Sequence, residues 1–401
     1  MVSTVNSYTD PSQRALPGDG YGGVVRVSTA GYYGTGTLLY EGRAILTAAH
    51  LFDHGSIDTT IRFDTTTGEQ SATASRVLIH PDYDPVNINH DLALVWLDGS
   101  APASAERHGL YRDSDEVGQT FNFAGYGTPG TGMDGVLDNY QGSPVRLNAS
   151  NQFDADIATL EDYLGATMDW TPAPGTQLIA DFDSGSLSND ALGRLIYHYD
   201  TGLGTHEGLI TPGDSGGPAF IDGLVAGTAS YRASLSRGST HPDLDTESNS
   251  SFGEIAAWQR VSYYQQWIDQ SLRTNYPDAP SGPKDVQTQV IEGNSGTTYA
   301  YFLLQFTGER THPGQWLSVD YETRDGSAWA GEDYLAASGT LILYPDETQA
   351  VIPVEIIGDK TPEPEQTFFL DAFNPIGGSF GEGVIKLTAA RSIIDDDGWM
   401  G

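Results

Sequence analysis

Three side chains able to cooperate in acyl transfer occur in short motifs that lie far apart in the sequence. Ser215 lies in G-D-S-G-G-P, His50 ends L-T-A-A-H, and Asp91 lies in H-D-L-A-L. A serine hydroxyl is a weak nucleophile near neutral pH unless a base takes its proton, and that base needs an acidic partner that fixes its tautomer. We therefore predict Ser215 as the nucleophile, His50 as general base and then acid, and Asp91 as the carboxylate that orients the imidazole.

The glycines around Ser215 favour a tight turn that exposes the backbone N–H groups of Gly213 and Ser215. Two such donors can stabilise the oxyanion of a tetrahedral intermediate. The same motif also fits the nucleophile elbow of α/β-hydrolases, but there the acid and the histidine follow the serine. Here His50 and Asp91 precede it, in a region rich in strand and turn residues.

The order His, Asp, Ser within these motifs resembles the chymotrypsin/trypsin-like serine proteases. The resemblance implies an all-β fold of two six-stranded antiparallel β-barrels, with the three residues in the cleft between them and a C-terminal helix. The stretch between Asp91 and Ser215 is longer than this family leads us to expect. Extra loops are therefore predicted within 130–205, with a short helix over 153–166.

The C-terminal helix of this region is predicted at 262–273. Apolar side chains recur there at positions i, i+3, i+4 and i+8, which places them on one helical face. The four residues of this face are Tyr264, Trp267, Ile268 and Leu272. Such a face is typical of a helix that packs against a core.

The substrate pocket is assigned by the resemblance alone. Ser230 and Tyr231 match the strand that binds the substrate backbone and lines the pocket, and Gly253 matches the far wall. Arg232 stands where the family usually has glycine. Leu209 falls at the pocket floor, which predicts an apolar or small P1 side chain rather than Lys or Arg, unless the acidic residue two positions earlier takes that place.

Activation remains open between two routes. In the family a freed N-terminal amine pairs with the aspartate before the nucleophile, here Asp214. The chain has no I-V-G-G sequence, and Arg14 marks a poorly matching cleavage point. The alternative is that Asp214 pairs with another internal cation and that the chain is active uncut.

The composition excludes several kinds of partner. The 401 residues, enough for two or three domains, include 54 acidic and 19 basic residues, a formal net charge of −35. Such a surface repels nucleic acid and anionic membranes, so polypeptide substrates are the expected partners. A composition with few lysines and many acids is typical of salt-adapted or secreted bacterial proteins, the alternative being drift without functional meaning.

Cysteine is absent, so packing alone must hold the two barrels. No signal peptide is visible at the N-terminus, and no run of about eighteen apolar residues predicts a membrane span. By analogy with proteases that carry the C-terminal module described next, we expect an extracellular location in a bacterium. The sequence does not indicate the oligomeric state.

The C-terminal region has a different pattern. Residues 276–283, Y-P-D-A-P-S-G-P, are typical of an exposed, semi-rigid linker. Beyond them apolar residues alternate with period two, as at Leu317, Val319 and Tyr321, with turn-rich breaks between the runs. This pattern predicts a β-sandwich of about seven strands.

Four motifs in this region, V-D-Y-E-T-R-D-G-S-A, A-G-E-D-Y, G-T-L and I-I-D-D-D, resemble the Calx-β domain over nearly all of 286–398. The resemblance implies an immunoglobulin-like β-sandwich, and some of these domains bind Ca²⁺ through carboxylates of converging loops. Lys360 would repel a cation, so a solvated acidic cluster without calcium remains the alternative. The positions that match the calcium pattern are Glu292, Asp325, Asp359, Glu363, Asp395, Asp396 and Asp397.

The predicted organisation is therefore a loose N-terminal arm over 1–20, a trypsin-like domain over 21–274, a linker over 275–285 and a Calx-β domain over 286–401. The predicted function is that of a secreted serine endopeptidase. It needs no cofactor for catalysis and carries an accessory module with a candidate Ca²⁺ site. Two alternatives stay open: a non-catalytic adhesion or binding protein on a protease scaffold, and an esterase-type serine hydrolase.

Overall fold

The structure, a computed structural model, describes residues 2–5, 7–55, 58–137, 139–245 and 247–397. Its internal contacts divide the chain into two compact units. The first unit consists of Met1–Leu39, Arg43–Gly99 and Ser104–Gln265. The second unit consists of Tyr40–Gly42, Ser100–Ala103 and Gln266–Gly401.

The first unit is built mainly from short strands. In chain order, the strands that the structure describes there are β1 (Ser3–Thr4), β2 (Val24–Thr29), β3 (Tyr32–Leu38), β4 (Ala44–Thr47), β5 (Thr59–Thr65), β6 (Gly68–Ile79), β7 (Ala93–Leu97), β8 (Thr120–Gly125), β9 (Gly130–Thr131), β10 (Gly135–Val136), β11 (Leu147–Gln152), β12 (Ala155–Asp156), β13 (Gln177–Asp181), β14 (Gly208–Leu209), β15 (Pro218–Ile221), β16 (Leu224–Ala233) and β17 (Ile255–Arg260). Its α-helices are α1 (Ile157–Leu164) and α2 (Ala191–Ile196), and α3 (Val261–Thr274) follows β17.

Six of these strands close into a barrel in the order β2-β3-β4-β7-β6-β5. Closure removes the unpaired sheet edges, and side chains fill the interior of a barrel this small. Every residue of β4 and β7 is buried, and the two strands pair antiparallel with Ile45 opposite Val95. This confirms the first of the two predicted barrels, and it places the ends of β4 and the start of β7 next to each other.

The second half of the first unit is an antiparallel sheet in the order β11-β8-β15-β16-β17-β13-β12. The sequence predicted a second barrel of six strands, and the structure has a sheet of seven. The additional strand is β12, which has two residues and lies at the edge of the sheet. An aromatic cluster packs on this sheet: the rings of Phe121 and Phe153 stack at 4.0 Å, and Trp258 meets Phe121 edge-on at 5.0 Å. These aromatic contacts stabilise the second half without a disulfide.

The N-terminal arm is not loose, contrary to the prediction for 1–20. Ser3 pairs with Leu209 and with Gly130, within a small sheet in the order β10-β9-β1-β14. Val2 is fully buried in the aromatic core cluster. The composition of the arm suggested a loop because its polar residues are frequent, but its backbone forms ladder hydrogen bonds with two distant segments.

The predicted extra loops contain two short helices. Helix α1 lies within the predicted 153–166 and is capped by Asp156, whose carboxylate accepts from the N–H of Thr159 at 2.8 Å. Helix α2 was not predicted; its N-cap is Asp190. Their buried apolar residues form one cluster with β13 and β17. The C-terminal helix predicted at 262–273 is confirmed as α3, with three of the four predicted stripe residues buried and Trp267 half-buried.

The second unit is a β-sandwich. Its described strands are β18 (Gln289–Ile291), β19 (Thr297–Gln305), β20 (Leu317–Arg324), β21 (Ser338–Leu343), β22 (Gln349–Ile357), β23 (Gln366–Ile376) and β24 (Lys386–Ile394). One sheet has the order β18-β24-β23-β20-β21, and the other pairs β19 with β22. The apolar side chains between the sheets form one core, which confirms the predicted seven-stranded sandwich.

The predicted linker is partly held by the second unit rather than exposed. Tyr276 is buried, and the Tyr301 hydroxyl donates to the Pro277 carbonyl at 2.5 Å. Gln349 donates to the Ser281 carbonyl at 2.7 Å. The proline-rich composition indicates the backbone conformation but not the side-chain contacts made with strands far along the chain.

Candidate active site

His50 and Asp91 stand at the adjoining ends of two neighbouring barrel strands. His50 lies in a 3₁₀ turn, Ala49–Phe52, directly after β4, and Asp91 precedes β7. The His50 ring Nδ1 and the Asp91 Oδ2 are 2.7 Å apart, and the His50 backbone N–H donates to Asp91 Oδ1 at 2.8 Å. The Asp91 carboxylate is fully buried. Because both carboxylate oxygens of Asp91 bind His50, the orientation of the imidazole ring is fixed. Its Nε2 atom is then the nitrogen available for proton transfer.

A second residue fixes Asp91 from the other half of the first unit. The Ser230 hydroxyl, on β16, donates to Asp91 Oδ2 at 2.6 Å. Gln259, on β17, donates in turn to the Ser230 hydroxyl at 3.3 Å. Three donors, two from His50 and one from Ser230, therefore converge on one buried carboxylate, and hydrogen bonds to a carboxylate are stronger than those between neutral groups.

The pKa of His50 is raised by this environment. Burial on its own disfavours the imidazolium and lowers the pKa, but the Asp91 charge and its hydrogen bond outweigh burial, with a smaller contribution from Asp53. An imidazole whose charged form is stabilised is a stronger base at the moment when it takes a proton. The arrangement suits proton transfer at Nε2.

The loop that carries Ser215 packs against the strands around His50. The Ser215 carbonyl accepts from the Thr35 N–H at 2.8 Å, and the Gly216 N–H donates to the Ala229 carbonyl at 2.7 Å. Gly216 has a φ of +83°, and a Cβ there would lie 2.1 Å from the Thr47 hydroxyl. Only glycine allows this close approach to the segment that ends in His50.

Two backbone donors in this loop are available to a ligand. Among the residues that the structure describes, the N–H groups of Gly213 and Ser215 form no hydrogen bond with a protein acceptor. Gly213 has a φ of +99°, and its carbonyl accepts from the Thr35 hydroxyl at 2.8 Å. The Gly213 carbonyl is thus held by the protein, and the two predicted oxyanion donors remain available to a ligand.

The buried Asp214 carboxylate braces the same loop. It accepts from the Gly127 N–H at 2.8 Å, and from the N–H and the hydroxyl of Thr211, each at 2.9 Å. Burial raises the pKa of Asp214, while nearby positive charge and these hydrogen bonds oppose the rise. The two activation routes, in which this carboxylate pairs with an N-terminal amine or with another cation, stay predictions.

The structure does not join all three residues by hydrogen bonds. Within the described parts of the chain, His50 and Ser215 share no hydrogen bond. Hydrogen bonds between a nucleophile and its base are commonly long in unliganded enzymes and shorten when substrate binds. His50 and Asp91 are therefore assembled, and Ser215 lies on a loop packed against the His50 segment.

The residues assigned to the substrate pocket have diverse surroundings. Leu209 is fully buried in the aromatic core cluster, and the Tyr231 hydroxyl donates to Gln177 at 2.7 Å. Arg232 donates to the Ser248 carbonyl at 2.6 Å and lies 3.8 Å from the buried Glu254 carboxylate. Gly253 donates its N–H to the Phe182 carbonyl at 2.8 Å. Their roles toward substrate stay predictions.

One positioning residue was missed by the sequence analysis. That Ser230 binds the substrate backbone stays a prediction, and its buried side chain has a further role because its hydroxyl donates to Asp91. No local pattern in the sequence indicates this contact, because it joins β16 to a residue 139 positions away.

The candidate calcium residues of the second unit divide into two groups. Carboxylate oxygens of Glu292, Asp359 and Asp397 lie within 4.8 Å of one another. Burial, and then the charges of Asp359, Asp395, Glu363 and Asp397, raise the pKa of Glu292 to about 7. The structure therefore brings these acidic side chains together at one place.

Four predicted calcium residues are outside this group of three: Asp325, Glu363, Asp395 and Asp396. Asp325 accepts from the Tyr334 hydroxyl at 2.5 Å and from the Ala330 N–H at 2.9 Å, which lowers the pKa of Asp325. Asp396 accepts from the Gly293 N–H and from the Asn294 amide, each at 3.2 Å. Asp325 and Asp396 therefore stabilise loops of the sandwich.

Comparisons with protein families match the two units separately. Residues 13–186 match the family described as Trypsin, and residues 295–397 match the Calx-beta domain. The first range includes His50 and Asp91 and ends before Ser215.

Among the helices that the structure describes, none has the length and apolar character needed to cross a membrane.

Sodium/calcium exchangers are similar to a short part of this chain. Human sodium/calcium exchanger 2 is 39% identical over 108 residues, covering 24% of this chain and 12% of the exchanger. The exchanger Calx of Drosophila melanogaster is 35% identical over 85 residues, covering 20% of this chain and 8% of its own length. The chain thus spans about a tenth of the length of these relatives.

The solved structure of neuropsin, a serine protease expressed in the limbic system of mouse brain, aligns with 65% of this chain and 98% of its own chain, at 19% identity and a TM-score of 0.45. The family matches show that the chain combines a trypsin-like protease domain with a Calx-beta domain.

Proposed function

We propose that this protein is a serine endopeptidase that acts through Ser215, His50 and Asp91. The observation that carries the proposal is the double hydrogen bond between Asp91 and His50, made by a fully buried carboxylate. A buried charge is costly unless it is paired, and this one is arranged so that a single imidazole nitrogen remains for proton transfer. A non-catalytic scaffold does not require that arrangement.

In the proposed mechanism, His50 Nε2 takes the proton of the Ser215 hydroxyl as its oxygen attacks the scissile carbonyl. The oxyanion of the tetrahedral intermediate accepts from the free N–H groups of Gly213 and Ser215. The imidazolium then gives its proton to the leaving amine, and an acyl-enzyme forms on Ser215. Water deprotonated by His50 hydrolyses that ester and regenerates the hydroxyl.

Turnover of casein by purified variants tests this function. Wild type is expected to cleave casein, and Ser215→Ala is expected to lose this activity. Ser236→Ala is the matched control, since Ser236 is exposed in the first unit, and it should retain activity. Cleavage that persists in Ser215→Ala would refute the assignment. Turnover of p-nitrophenyl esters without any cleavage of casein would instead favour the esterase alternative.

The P1 preference that we propose is apolar or small. Leu209, predicted at the pocket floor, is buried among apolar side chains, and a carboxylate there would be needed to attract Lys or Arg. The nearby Glu207 is occupied by the N–H groups of Asp183 and Leu203, each at 2.6 Å. A peptide library in which Arg or Lys dominates at P1 would overturn this preference.

We propose in addition that the Calx-beta domain binds Ca²⁺ through Glu292, Asp359 and Asp397. Their oxygens are close enough to share one ion, and among the described side chains the Glu292 Oε1 atom is buried without a hydrogen-bond partner. Calorimetric titration of wild type against Glu292→Gln tests the site. Equal calcium uptake by the two proteins would refute it.

The location that we propose is outside a bacterial cell. The strongly acidic composition, with its near absence of lysine, fits this setting. Fractionation of a producing culture would test the proposal, and protein confined to the cells would contradict it.

A further inference from the structure

The extra loops of the first unit contain a group of buried acidic residues that the proposed mechanism does not use. Asp181 ends β13, Asp183 follows two positions later, and Asp190 precedes α2. Each of the three is at most 3% exposed. One carboxylate oxygen from each lies within 4.8 Å of the other two.

Further acidic side chains surround this group. Glu207 is buried and accepts from the Asp183 N–H at 2.6 Å. Asp154 accepts from the Asp181 N–H at 3.3 Å, and Asp200 donates its N–H to Asp190 Oδ2 at 3.3 Å. Repulsion among these carboxylates adds to the cost of burying each one.

Backbone donors only partly compensate the charge. The N–H of Leu192 donates to Asp181 Oδ2 at 2.6 Å, and the N–H of Gly193 donates to Asp190 Oδ1 at 2.5 Å. Arg194, which follows Gly193 in helix α2, donates to the carbonyls of Ser188 and His241. In the described parts of the chain, no Lys, Arg or His forms a salt bridge with this group.

One oxygen of the group has no hydrogen-bond partner in the described part of the chain. Asp183 Oδ1 is buried and accepts no hydrogen bond from the residues that the structure describes, in a side chain that is 3% exposed. A buried carboxylate oxygen without a donor is strongly unfavourable. A cation bound among the three carboxylates would satisfy this oxygen and neutralise the repulsion together.

We propose that Asp181, Asp183 and Asp190 bind a Ca²⁺ ion. Calcium takes six to eight oxygen ligands at about 2.3–2.6 Å, so two ligands on opposite sides of the ion lie up to about 5 Å apart, which agrees with the observed spacing. Zinc prefers nitrogen and sulfur ligands, which the three residues do not offer. Magnesium keeps several waters and favours sites with one or two carboxylates.

The position of this ion gives it a role in the proposed protease. Phe182, between two of the ligands, donates its N–H to the Glu254 carbonyl at 3.0 Å and accepts from the Gly253 N–H at 2.8 Å. Glu207 directly precedes β14, which contains Leu209. The ion thus fixes the two backbone segments assigned to the substrate pocket. This role, unlike the binding itself, rests on the proposed function.

Calcium bound per chain, measured by equilibrium dialysis on the full chain, tests the site. Glu292→Gln is introduced first because it disables the acidic group of the second unit. This protein should bind about one calcium per chain at millimolar concentration, and adding Asp183→Asn should remove it. Asp162→Asn, which changes an exposed aspartate on α1, is the matched control and should keep it.

Either of two dialysis results would overturn the proposal: no calcium bound by Glu292→Gln, or undiminished binding after Asp183→Asn. Should Asp183→Asn fail to fold by circular dichroism, anomalous diffraction from wild-type crystals grown with Tb³⁺ decides instead. A peak between Asp181, Asp183 and Asp190 supports the site. Tb³⁺ peaks confined to other places contradict it.

Discussion

Asp91 and Asp183 are two buried aspartates of the same unit in opposite situations. Asp91 accepts from the backbone N–H of His50, from its ring and from the Ser230 hydroxyl. Asp183 has an oxygen with no donor among the described residues, and several carboxylates around it. The difference shows that burial alone does not give a carboxylate its role. Donors placed around it make a fixed negative charge, whereas acidic neighbours make a site for a cation.

The largest expected effect is a loss of activity when the hydrogen bonds between Asp91 and His50 are disrupted. Asp91→Asn keeps the shape of the side chain but presents an amide N–H group where His50 needs an acceptor. We expect kcat for peptide hydrolysis to fall by about 10⁴-fold, because the imidazole then adopts the wrong tautomer. Calcium binding by the acidic group around Asp183 should not change. A variant that keeps wild-type kcat would show that Asp91 does not orient the base.

The pH dependence of kcat/KM tests whether Asp91 raises the pKa of His50. His50 must be neutral to act as a base, so activity falls as the pH drops through its pKa, which Asp91 raises above the usual value near 6.5. The acid limb of wild type should therefore be centred above that value. In the residual activity of Asp91→Asn it should move to lower pH, because burial, which lowers the pKa of His50, is then opposed only by the smaller contribution of Asp53. An acid limb that stays in place in the variant would contradict this account.

Ser230→Ala removes one of the three donors to Asp91. We expect kcat to fall about 10-fold, since a hydrogen bond to a charged group contributes roughly 1.5–3 kcal/mol and two donors remain. KM should change little, because the hydroxyl points to Asp91 rather than to substrate. The exposed Ser236→Ala serves as the control. A large rise in KM at constant kcat would instead assign Ser230 to substrate binding.

At the acidic group around Asp183, replacing the aspartate by asparagine should stabilise the protein. With a chelator present, Asp183→Asn replaces an unsatisfied carboxyl by an amide whose N–H group can donate to the neighbouring carboxylates. We expect the free energy of unfolding to rise by about 1–3 kcal/mol, whereas Asp162→Asn should leave it unchanged. Denaturant melts in chelator measure the effect, and destabilisation of the Asp183 variant would argue against an unsatisfied oxygen.

The smallest effect is expected at the acidic group of the Calx-beta domain. Burial and the charges of neighbouring aspartates raise the pKa of Asp397, and the charge of the exposed Lys360 opposes this rise. In an Asp183→Asn background, Lys360→Gln should tighten calcium binding about 2-fold, because exposed charges contribute only roughly 0.2–1 kcal/mol. Lys284→Gln is the control. Weaker binding after loss of the Lys360 charge would place the ion elsewhere.

Local patterns were sufficient for part of this structure. The order of the motifs around His50, Asp91 and Ser215 predicted the fold of the first unit, and the period-two alternation predicted the sandwich. The roles of the three residues stay predictions. The contact between the Ser230 hydroxyl and Asp91 was not predicted, because it depends on how two strands meet. The Asp183 environment was missed for the same reason: its acids are spread over 154–207 and become neighbours only through tertiary packing.

The predicted arm over 1–20 shows how composition misleads. Polar and small residues indicated a loop, yet Ser3 and Thr4 pair with two distant segments and Val2 is buried. Short strands of two residues have no detectable period, so pairing partners far along the chain decide their structure.

The central claim is that the Ser215 hydroxyl is made nucleophilic by an imidazole that Asp91 orients. The most direct test is labelling with a fluorophosphonate, followed by peptide mapping with mass spectrometry. The account predicts one modified residue, Ser215, in wild type, no label on Ser215→Ala and strongly slowed labelling of Asp91→Asn. Folded wild-type protein that stays unlabelled, or an adduct that persists in Ser215→Ala, would contradict it.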